Sequence, residues 1–265
     1  MLTVLKYIFL LTIPVILFSG CGLQRKLLYY PGALTDDELN ASGLKFWPSE
    51  KDYRGLASAN EVKNKKGVVI VFHGNAGSAV HRGYYINFLE PLGYKVILAE
   101  YPAYGGRAGK LSEKSFVRDA KETIRQAYEK FGEPLFLLGE SLGCGVVSDF
   151  VSDGSVKING IVLVTPWDTL LAVARSHFSL LPVKWFMKDK YNNIDNLRSF
   201  QGRVAIIGTE QDDVIPVKHA VELYKTLSCG KKMWIIKGAG HNDWPMVMKP
   251  PDWKDIMSFV SGNTK

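Results

Sequence analysis

The sequence predicts an α/β fold, a single domain with a mostly parallel sheet and helices on both of its faces. From residue 68 onward, short apolar runs rich in β-branched residues alternate with segments whose apolar residues recur every three or four positions. Strands that alternate with helices pair in parallel, and strands that are apolar throughout are buried on both faces. The 265 residues, 46% of them hydrophobic, suit one such domain. Strands are expected near residues 68–72, 95–99, 135–138, 160–164, 203–207 and 232–236.

The chain before residue 68 is less regular. Residues 21–43 are predicted to form a linker, and the domain is expected to cover residues 44–265. Two extended pieces, near residues 44–47 and 53–57, predict an antiparallel edge of the sheet.

Two later segments complete the predicted domain. Ser112 is a candidate N-cap for a helix that ends near Phe131 and carries apolar residues three or four positions apart. Between about residues 167 and 200, apolar side chains are interleaved with lysines, which predicts an amphipathic cap inserted over the site. Such a cap could cover an acyl-binding pocket, contact a bilayer or pack only on the core.

The pentapeptide from Gly139 to Gly143 reads Gly-Glu-Ser-Leu-Gly and stands between a predicted strand and a predicted helix. In that context the serine occupies a sharp, strained turn, and the two glycines let the strand and the helix pass without a collision of side chains. Ser141 is therefore a candidate nucleophile. Glu140, inside the turn, is a candidate for a local structural role or for a position near the substrate.

The first strand of the series ends in a second glycine-containing loop, His73 to Gly77. Acyl transfer through a serine needs two backbone N–H groups that point at the developing oxyanion. The N–H of Leu142, directly after the serine, and the N–H of Asn75 in this loop are the candidates for the two donors.

Candidates for an acid and a base follow later in the chain. Asp212 and Asp213 lie in a turn after the strand near 203–207, and His241 lies in a glycine-containing loop after the strand near 232–236. A carboxylate that orients a histidine, which in turn removes a proton from a serine, is the arrangement that activates a serine nucleophile.

At this point the chain resembles the α/β-hydrolase superfamily, in which the serine turn, the oxyanion loop, the acid and the histidine follow in this order. More narrowly, the segments from Phe72 to Gly77 and from Glu100 to Gly106 resemble a branch that includes protein depalmitoylases and bacterial serine-aminopeptidase-like hydrolases. The resemblance implies a serine hydrolase and leaves the substrate open, because this fold hosts esterases, lipases, thioesterases and peptidases. Arg107 stands where members of the branch usually have serine, so no substrate contact is carried over there.

The resemblance also bears on the choice of acid. Asp212 precedes Pro216 by four positions, as the catalytic aspartate does in the family's Asp-x-x-Val/Ile-Pro pattern, although its distance from Gly208 is one residue longer than usual. Asp212 is therefore the expected triad acid, and Asp213 is the alternative.

The N-terminus resembles a bacterial lipoprotein signal. Residues 1–20 contain one early lysine and an apolar core, and they end in Phe-Ser-Gly before Cys21. This pattern predicts a cleaved signal peptide and lipidation of Cys21, which would place the protein at a bacterial cell envelope, on the outer membrane if there is one, because Gly22 and not aspartate follows the cysteine. The alternative is an uncleaved anchor helix.

Composition excludes several other classes of protein. The formal net charge is +7, but the basic residues are scattered and no nucleic-acid-binding motif is present. The sequence has no metal-ligand spacing, and its three cysteines require no disulfide, which predicts an enzyme without metal or cofactor. The expected function is hydrolysis of a carboxylic ester or thioester with an apolar acyl group, from a small molecule or a lipid, by a membrane-tethered enzyme. A peptidase or amidase of the same fold and an inactive interaction module are the alternatives.

Overall fold

The computed structural model describes residues 24–262 and is built around one sheet of eight strands. All six strands expected from residue 68 onward are present, as is the antiparallel pair before them. Their bounds are Leu44–Pro48 (β1), Tyr53–Ser58 (β2), Gly67–Phe72 (β3), Tyr94–Ala99 (β4), Leu135–Glu140 (β5), Gly160–Val164 (β6), Arg203–Thr209 (β7) and Lys231–Ile236 (β8).

The strands follow the order β1-β2-β4-β3-β5-β6-β7-β8 across the sheet. Strand β2 pairs antiparallel with both β1 and β4, and every other neighbouring pair is parallel. The order reverses between β3 and β5, so the loops that follow these two strands diverge at their carboxyl ends. Such a switch point is where open α/β sheets bind ligands.

Helices cover both faces of the sheet, as the alternation predicts. Their bounds are Asp36–Ser42 (α1), Tyr84–Leu89 (α2), Glu113–Phe131 (α3), Leu142–Asp153 (α4), Leu170–His177 (α5), Asn193–Leu197 (α6), Lys218–Thr226 (α7), Trp244–Val247 (α8) and Pro250–Ser261 (α9). Helix α3 begins after Ser112, whose hydroxyl accepts a hydrogen bond from the Ser115 N–H, so the predicted N-cap is confirmed.

Two hydrophobic cores lie on opposite sides of the sheet because successive strand residues point to opposite faces. On β3, Val68 and Ile70 pack into the core with α3, α4 and α7, whereas Val69 and Val71 pack into the core with α2, α8 and α9. Most of these side chains are fully buried, which gives the carboxyl ends of the strands a rigid base.

The predicted linker is described from Gln24 onward and contains regular structure packed on the domain. Residues 24–28 form a helical turn, and Tyr30–Pro31 pairs in parallel with Ala76–Gly77. Helix α1 follows, with a capping box between Thr35 and Glu38. Within residues 24–262 no helix is long and apolar enough to cross a bilayer. The predicted signal peptide and Cys21 lie outside the described residues.

Candidate active site

The turn between β5 and α4 holds Ser141 in a strained backbone conformation, with φ of 50° and ψ of −114°. The glycines on either side of Ser141, Gly139 and Gly143, are required because a side chain at either position would collide with the backbone. A Cβ at Gly143 would lie 1.9 Å from the carbonyl oxygen of Phe72, and one at Gly139 would lie 2.7 Å from the backbone of Cys144. The turn therefore presents the serine hydroxyl at the carboxyl edge of the sheet, as the pentapeptide predicts.

Three side chains predicted from distant parts of the sequence meet at this edge. The Ser141 hydroxyl lies 3.0 Å from His241 Nε2, and His241 Nδ1 lies 2.8 Å from Asp212 Oδ2. The His241 side chain is 8% exposed and that of Asp212 is 1% exposed, so the contact between them is shielded from water. Asp213, the alternative acid, is exposed at the wall of a cavity.

The hydrogen bonds of Asp212 determine which ring nitrogen of His241 carries the proton. Oδ1 accepts hydrogen bonds from the Val214 and Ile215 N–H groups at 3.0 and 2.6 Å, and Oδ2 also accepts one from the Thr209 hydroxyl at 2.9 Å. A carboxylate that accepts at both oxygens leaves His241 Nδ1 to donate. The lone pair of Nε2 then faces the serine hydroxyl and can accept its proton.

Asn75 and Leu142 line the same cavity as Ser141. Leu142 is the first residue of α4, and the first N–H groups of a helix have no partner within the helix. The Asn75 carbonyl oxygen accepts hydrogen bonds from the Tyr30 N–H at 2.9 Å and the Tyr104 hydroxyl at 2.7 Å. These bonds fix the loop that carries the first predicted oxyanion donor beside the turn that carries the second.

A buried contact between His73 and Glu100 supports this loop. His73 Nε2 lies 2.9 Å from Glu100 Oε1, and His73 Nδ1 lies 2.7 Å from the carbonyl oxygen of Gly74. Glu100 also accepts hydrogen bonds from the N–H groups of Ala79 and Tyr101. Since both ring nitrogens of His73 contact buried oxygens of the protein, the ring has a structural role in the loop.

Glu140, next to the serine, is the centre of a second buried network. Its Oε1 accepts from Arg82 at 2.9 Å, and its Oε2 accepts from the Tyr84 and Tyr85 hydroxyls at 2.7 and 3.0 Å. Arg82 also donates to the carbonyl oxygen of Ala76, so it joins the oxyanion loop to the serine turn. Burial acts most strongly and raises the pKa of Glu140, but the charge of Arg82 and the hydrogen bonds of Tyr84, Arg82 and Tyr85 outweigh it and lower this pKa below its ordinary value.

A cavity of about 1080 Å³ opens beside Ser141. Its walls come from the serine turn, the loop after β7, the segment with α5 and the turn at residues 24–28, and most of its lining residues are apolar. This volume lies slightly above the usual range of about 300 to 1,000 Å³ for a small-molecule site. The apolar wall contains Leu27, Leu28, Trp167, Leu170, Val173, Phe178, Leu181, Phe186, Met187 and Ile215.

Hydrogen bonds fasten the predicted cap, residues 167–200, to the domain. His219 on α7 lies 3.0 Å from Asp168 through Nδ1 and 3.3 Å from the Ser176 hydroxyl through Nε2. His177, at the end of α5, bonds the carbonyl oxygen of Val214 through Nε2 at 2.8 Å. The cap is thus held against the loop that carries Asp212, and the cavity has a defined wall there.

Neither Cys144 nor a metal site contributes to this geometry within the described part of the chain. Burial raises the pKa of the Cys144 thiol well above its ordinary value, so that thiol stays protonated. Among the residues from 24 to 262, no cluster of three or more histidine, cysteine, aspartate or glutamate side chains is arranged to hold a metal ion.

Comparison with solved structures identifies the architecture. The esterase Pf2001 of Pyrococcus furiosus superposes with a TM-score of 0.68 at 18% identity, covering 89% of this chain and 97% of that one. A monoacylglycerol lipase of Paleococcus ferrophilus superposes with a TM-score of 0.55 at 19% identity, covering 76% and 96%. The chain has an α/β-hydrolase fold. The predicted fold class is therefore confirmed.

Sequence comparisons point to the same superfamily. The family model described as serine aminopeptidase, S33, matches residues 63–194. An uncharacterized protein of Mycobacterium tuberculosis is 29% identical over 178 residues, which cover 66% of this chain and 63% of that protein. Lysophosphatidylserine lipase ABHD12 of Danio rerio is 29% identical over 185 residues, which cover 63% and 48%. The chain thus spans between about half and two thirds of the length of these relatives.

Proposed function

We propose that this α/β-hydrolase is a serine hydrolase that cleaves a carboxylic ester or thioester through an acyl-enzyme intermediate. The observation that carries the proposal is the chain of contacts from Asp212 through His241 to Ser141, which ends at an apolar cavity. No part of this reaction requires a metal or a cofactor.

The proposed mechanism follows from the hydrogen bonds. Ser141 Oγ attacks the acyl carbon while its proton moves to His241 Nε2, and Asp212 stabilises the imidazolium that forms. The N–H groups of Asn75 and Leu142 are the proposed donors to the oxyanion. His241 then protonates the departing alcohol or thiol. Water, deprotonated by the same nitrogen, attacks the acyl group and returns the serine.

The shape and chemistry of the cavity favour an apolar acyl chain. Its walls offer few charged groups, so transfer of a hydrocarbon chain from water into the cavity is favourable at about 0.8 kcal/mol per buried CH₂. The names of the lysophosphatidylserine lipase and monoacylglycerol lipase relatives fit lipids that carry one acyl chain. We infer that a monoacyl lipid ester is the substrate class, ahead of an amide.

We further propose that the enzyme acts at a membrane, as a lipoprotein of a bacterial cell envelope attached through Cys21. This part of the proposal depends on the sequence of residues 1–21 alone. Metabolic labelling with a palmitate analogue tests it. Label that disappears in Cys21→Ser supports the anchor, and label that persists in this variant contradicts it.

A substrate panel tests the activity. We expect hydrolysis of p-nitrophenyl esters whose kcat/KM rises with acyl length beyond four carbons, hydrolysis of acyl thioesters, and little cleavage of aminoacyl amides. Faster turnover of the amides would favour the peptidase alternative. Failure to turn over any member of the panel would favour an inactive interaction module.

A further inference from the structure

The cap carries large apolar side chains at its tip that are exposed to solvent. Leu180 is 95% exposed and Trp185 is 81% exposed, and neither lines the cavity. Exposed apolar residues scattered singly are ordinary, but a contiguous group marks a surface that contacts something apolar. These two residues, together with the residues Leu27, Phe178 and Leu181 at the rim of the cavity, are called the cap tip below.

The rim joins these residues to the cavity mouth. Leu27, Phe178 and Leu181 line the cavity and are nevertheless 55%, 46% and 59% exposed. They therefore lie where the cavity opens, between its wall and the solvent. A ligand with an acyl chain would enter past this apolar rim.

Gln24, the first described residue, is bound to the cap. The Gln24 side chain donates to the carbonyl oxygen of Asp189 at 2.7 Å and accepts from the Lys188 N–H at 2.7 Å. The predicted anchor at Cys21 ends three positions before this residue. Three residues span at most about 11 Å, so an anchored Cys21 would hold the cap tip close to the bilayer.

The two sequence segments that carry the cap tip are mainly basic, although the exposed carboxylate of Asp213 also lies on the cavity wall. The segments 24–31 and 170–190 contain six lysines and arginines and a single carboxylate, Asp189, which is buried and lies 3.7 Å from Arg25. Basic residues near a membrane surface attract anionic lipid headgroups. The six cations are Arg25, Lys26, Arg175, Lys184, Lys188 and Lys190.

From the exposed cap tip, the basic residues beside it and the position of Gln24, we propose that the cap tip docks on an anionic phospholipid bilayer. Leu180 and Trp185 enter the interface, and the cavity mouth faces the lipid. The substrate then passes from the bilayer to Ser141 without crossing water. This inference rests on the proposed function for its substrate and extends it with a surface that does no chemistry.

The test compares two substrates with the full-length protein reconstituted in vesicles of phosphatidylglycerol and phosphatidylcholine. The double variant Leu180→Asp, Trp185→Asp is expected to hydrolyse vesicle-embedded 4-methylumbelliferyl oleate at least about tenfold more slowly than wild type, because two apolar side chains that enter the bilayer are lost. Its hydrolysis of soluble 4-methylumbelliferyl butyrate is expected to match wild type. Met246, 89% exposed on α8 and outside the cap, supplies the control variant Met246→Asp, for which both rates stay unchanged.

Unchanged hydrolysis of the oleate by the double variant overturns the docking proposal and leaves the proposed function standing. Wild-type protein that cleaves neither ester overturns the proposed function instead. In that case, or if the double variant fails to fold, a spin label decides on docking. It is attached at Leu180→Cys or, as a control at the far end of α3, at Lys130→Cys. Cys229→Ser is present in both proteins, and Cys21 is kept so that the proposed anchor is in place.

Docking predicts that the label at 180 is shielded from a water-soluble nickel reagent and accessible to oxygen, and that the label at 130 shows the reverse. Equal exposure of the two labels to the nickel reagent contradicts it. If the protein forms a dimer without lipid or detergent and the label at 180 is shielded in that dimer, the cap tip contacts a second copy of the chain. This result would also overturn the proposal.

Discussion

Replacement of Asp212 by asparagine should abolish most activity while it leaves the fold in place. Its Oδ1 accepts two backbone N–H groups, from Val214 and Ile215, so the amide oxygen of the asparagine must occupy that side. The amide NH₂ then faces His241 Nδ1 and Thr209. Because NH₂ only donates, His241 must accept at Nδ1 and carry its proton on Nε2, where it can no longer take the proton of Ser141.

The size of the effect follows from this change of tautomer. In serine hydrolases with this arrangement, asparagine in place of the acid lowers kcat on the order of 10⁴-fold. At about 1.4 kcal/mol for each factor of ten, the loss is about 5.5 kcal/mol of transition-state stabilisation. The matched control is Asp213→Asn. This neighbouring side chain is exposed, and solvent screens its charge, so we expect a change of less than about threefold.

Steady-state hydrolysis of a p-nitrophenyl ester measures both variants, and thermal denaturation confirms that both are folded. The reasoning would be refuted if Asp212→Asn kept more than a tenth of the wild-type activity. It would also be refuted if Asp213→Asn were the more damaging of the two, since the exposed carboxylate would then be the one that orients His241.

Three further outcomes follow from the site. Gly143→Ala should lower the free energy of unfolding by about 3 kcal/mol or more, because its Cβ would overlap the Phe72 carbonyl oxygen, and a smaller loss in urea denaturation would contradict the packing. Glu140→Gln should lower the free energy of unfolding. The loss should be constant at pH values above the ordinary glutamate pKa and should decrease as the pH falls through the lowered pKa of Glu140 in the folded protein. If denaturation at a series of pH values showed a loss of stability that increases as the pH falls, this prediction would be contradicted. Val173→Phe narrows the cavity and should lower kcat/KM for p-nitrophenyl dodecanoate by about tenfold, with no change for p-nitrophenyl acetate. An equal loss for both esters would place the acyl chain outside this cavity.

The regular part of the fold could be predicted because each parallel strand contains at least four consecutive apolar residues. The strands near 160–164 and 232–236 agree with the structure to within one residue. Strand β7 is longer than expected and runs to Thr209, beyond the last β-branched pair of its apolar run. At the end of this extension, the Thr209 hydroxyl donates to Asp212 Oδ2 at 2.9 Å.

Polar contacts between distant parts of the chain, other than those of the predicted triad, could not be predicted. Glu140 and Arg82 are separated by 58 positions, and His219 and Asp168 by 51, with no periodicity that relates them. The same holds for Gln24 and Asp189, 165 positions apart, so that the start of the described chain gave no sign of its contact with the cap. Local patterns reveal strands, turns and caps, whereas buried polar networks depend on the topology that joins them.

Reaction with a fluorophosphonate probe, followed by peptide mass spectrometry, tests most directly that Ser141 is an activated nucleophile. We predict a single modified peptide that contains Ser141, no modification in Ser141→Ala, and strongly reduced modification in His241→Ala. Undiminished labelling of Ser141→Ala would contradict the account.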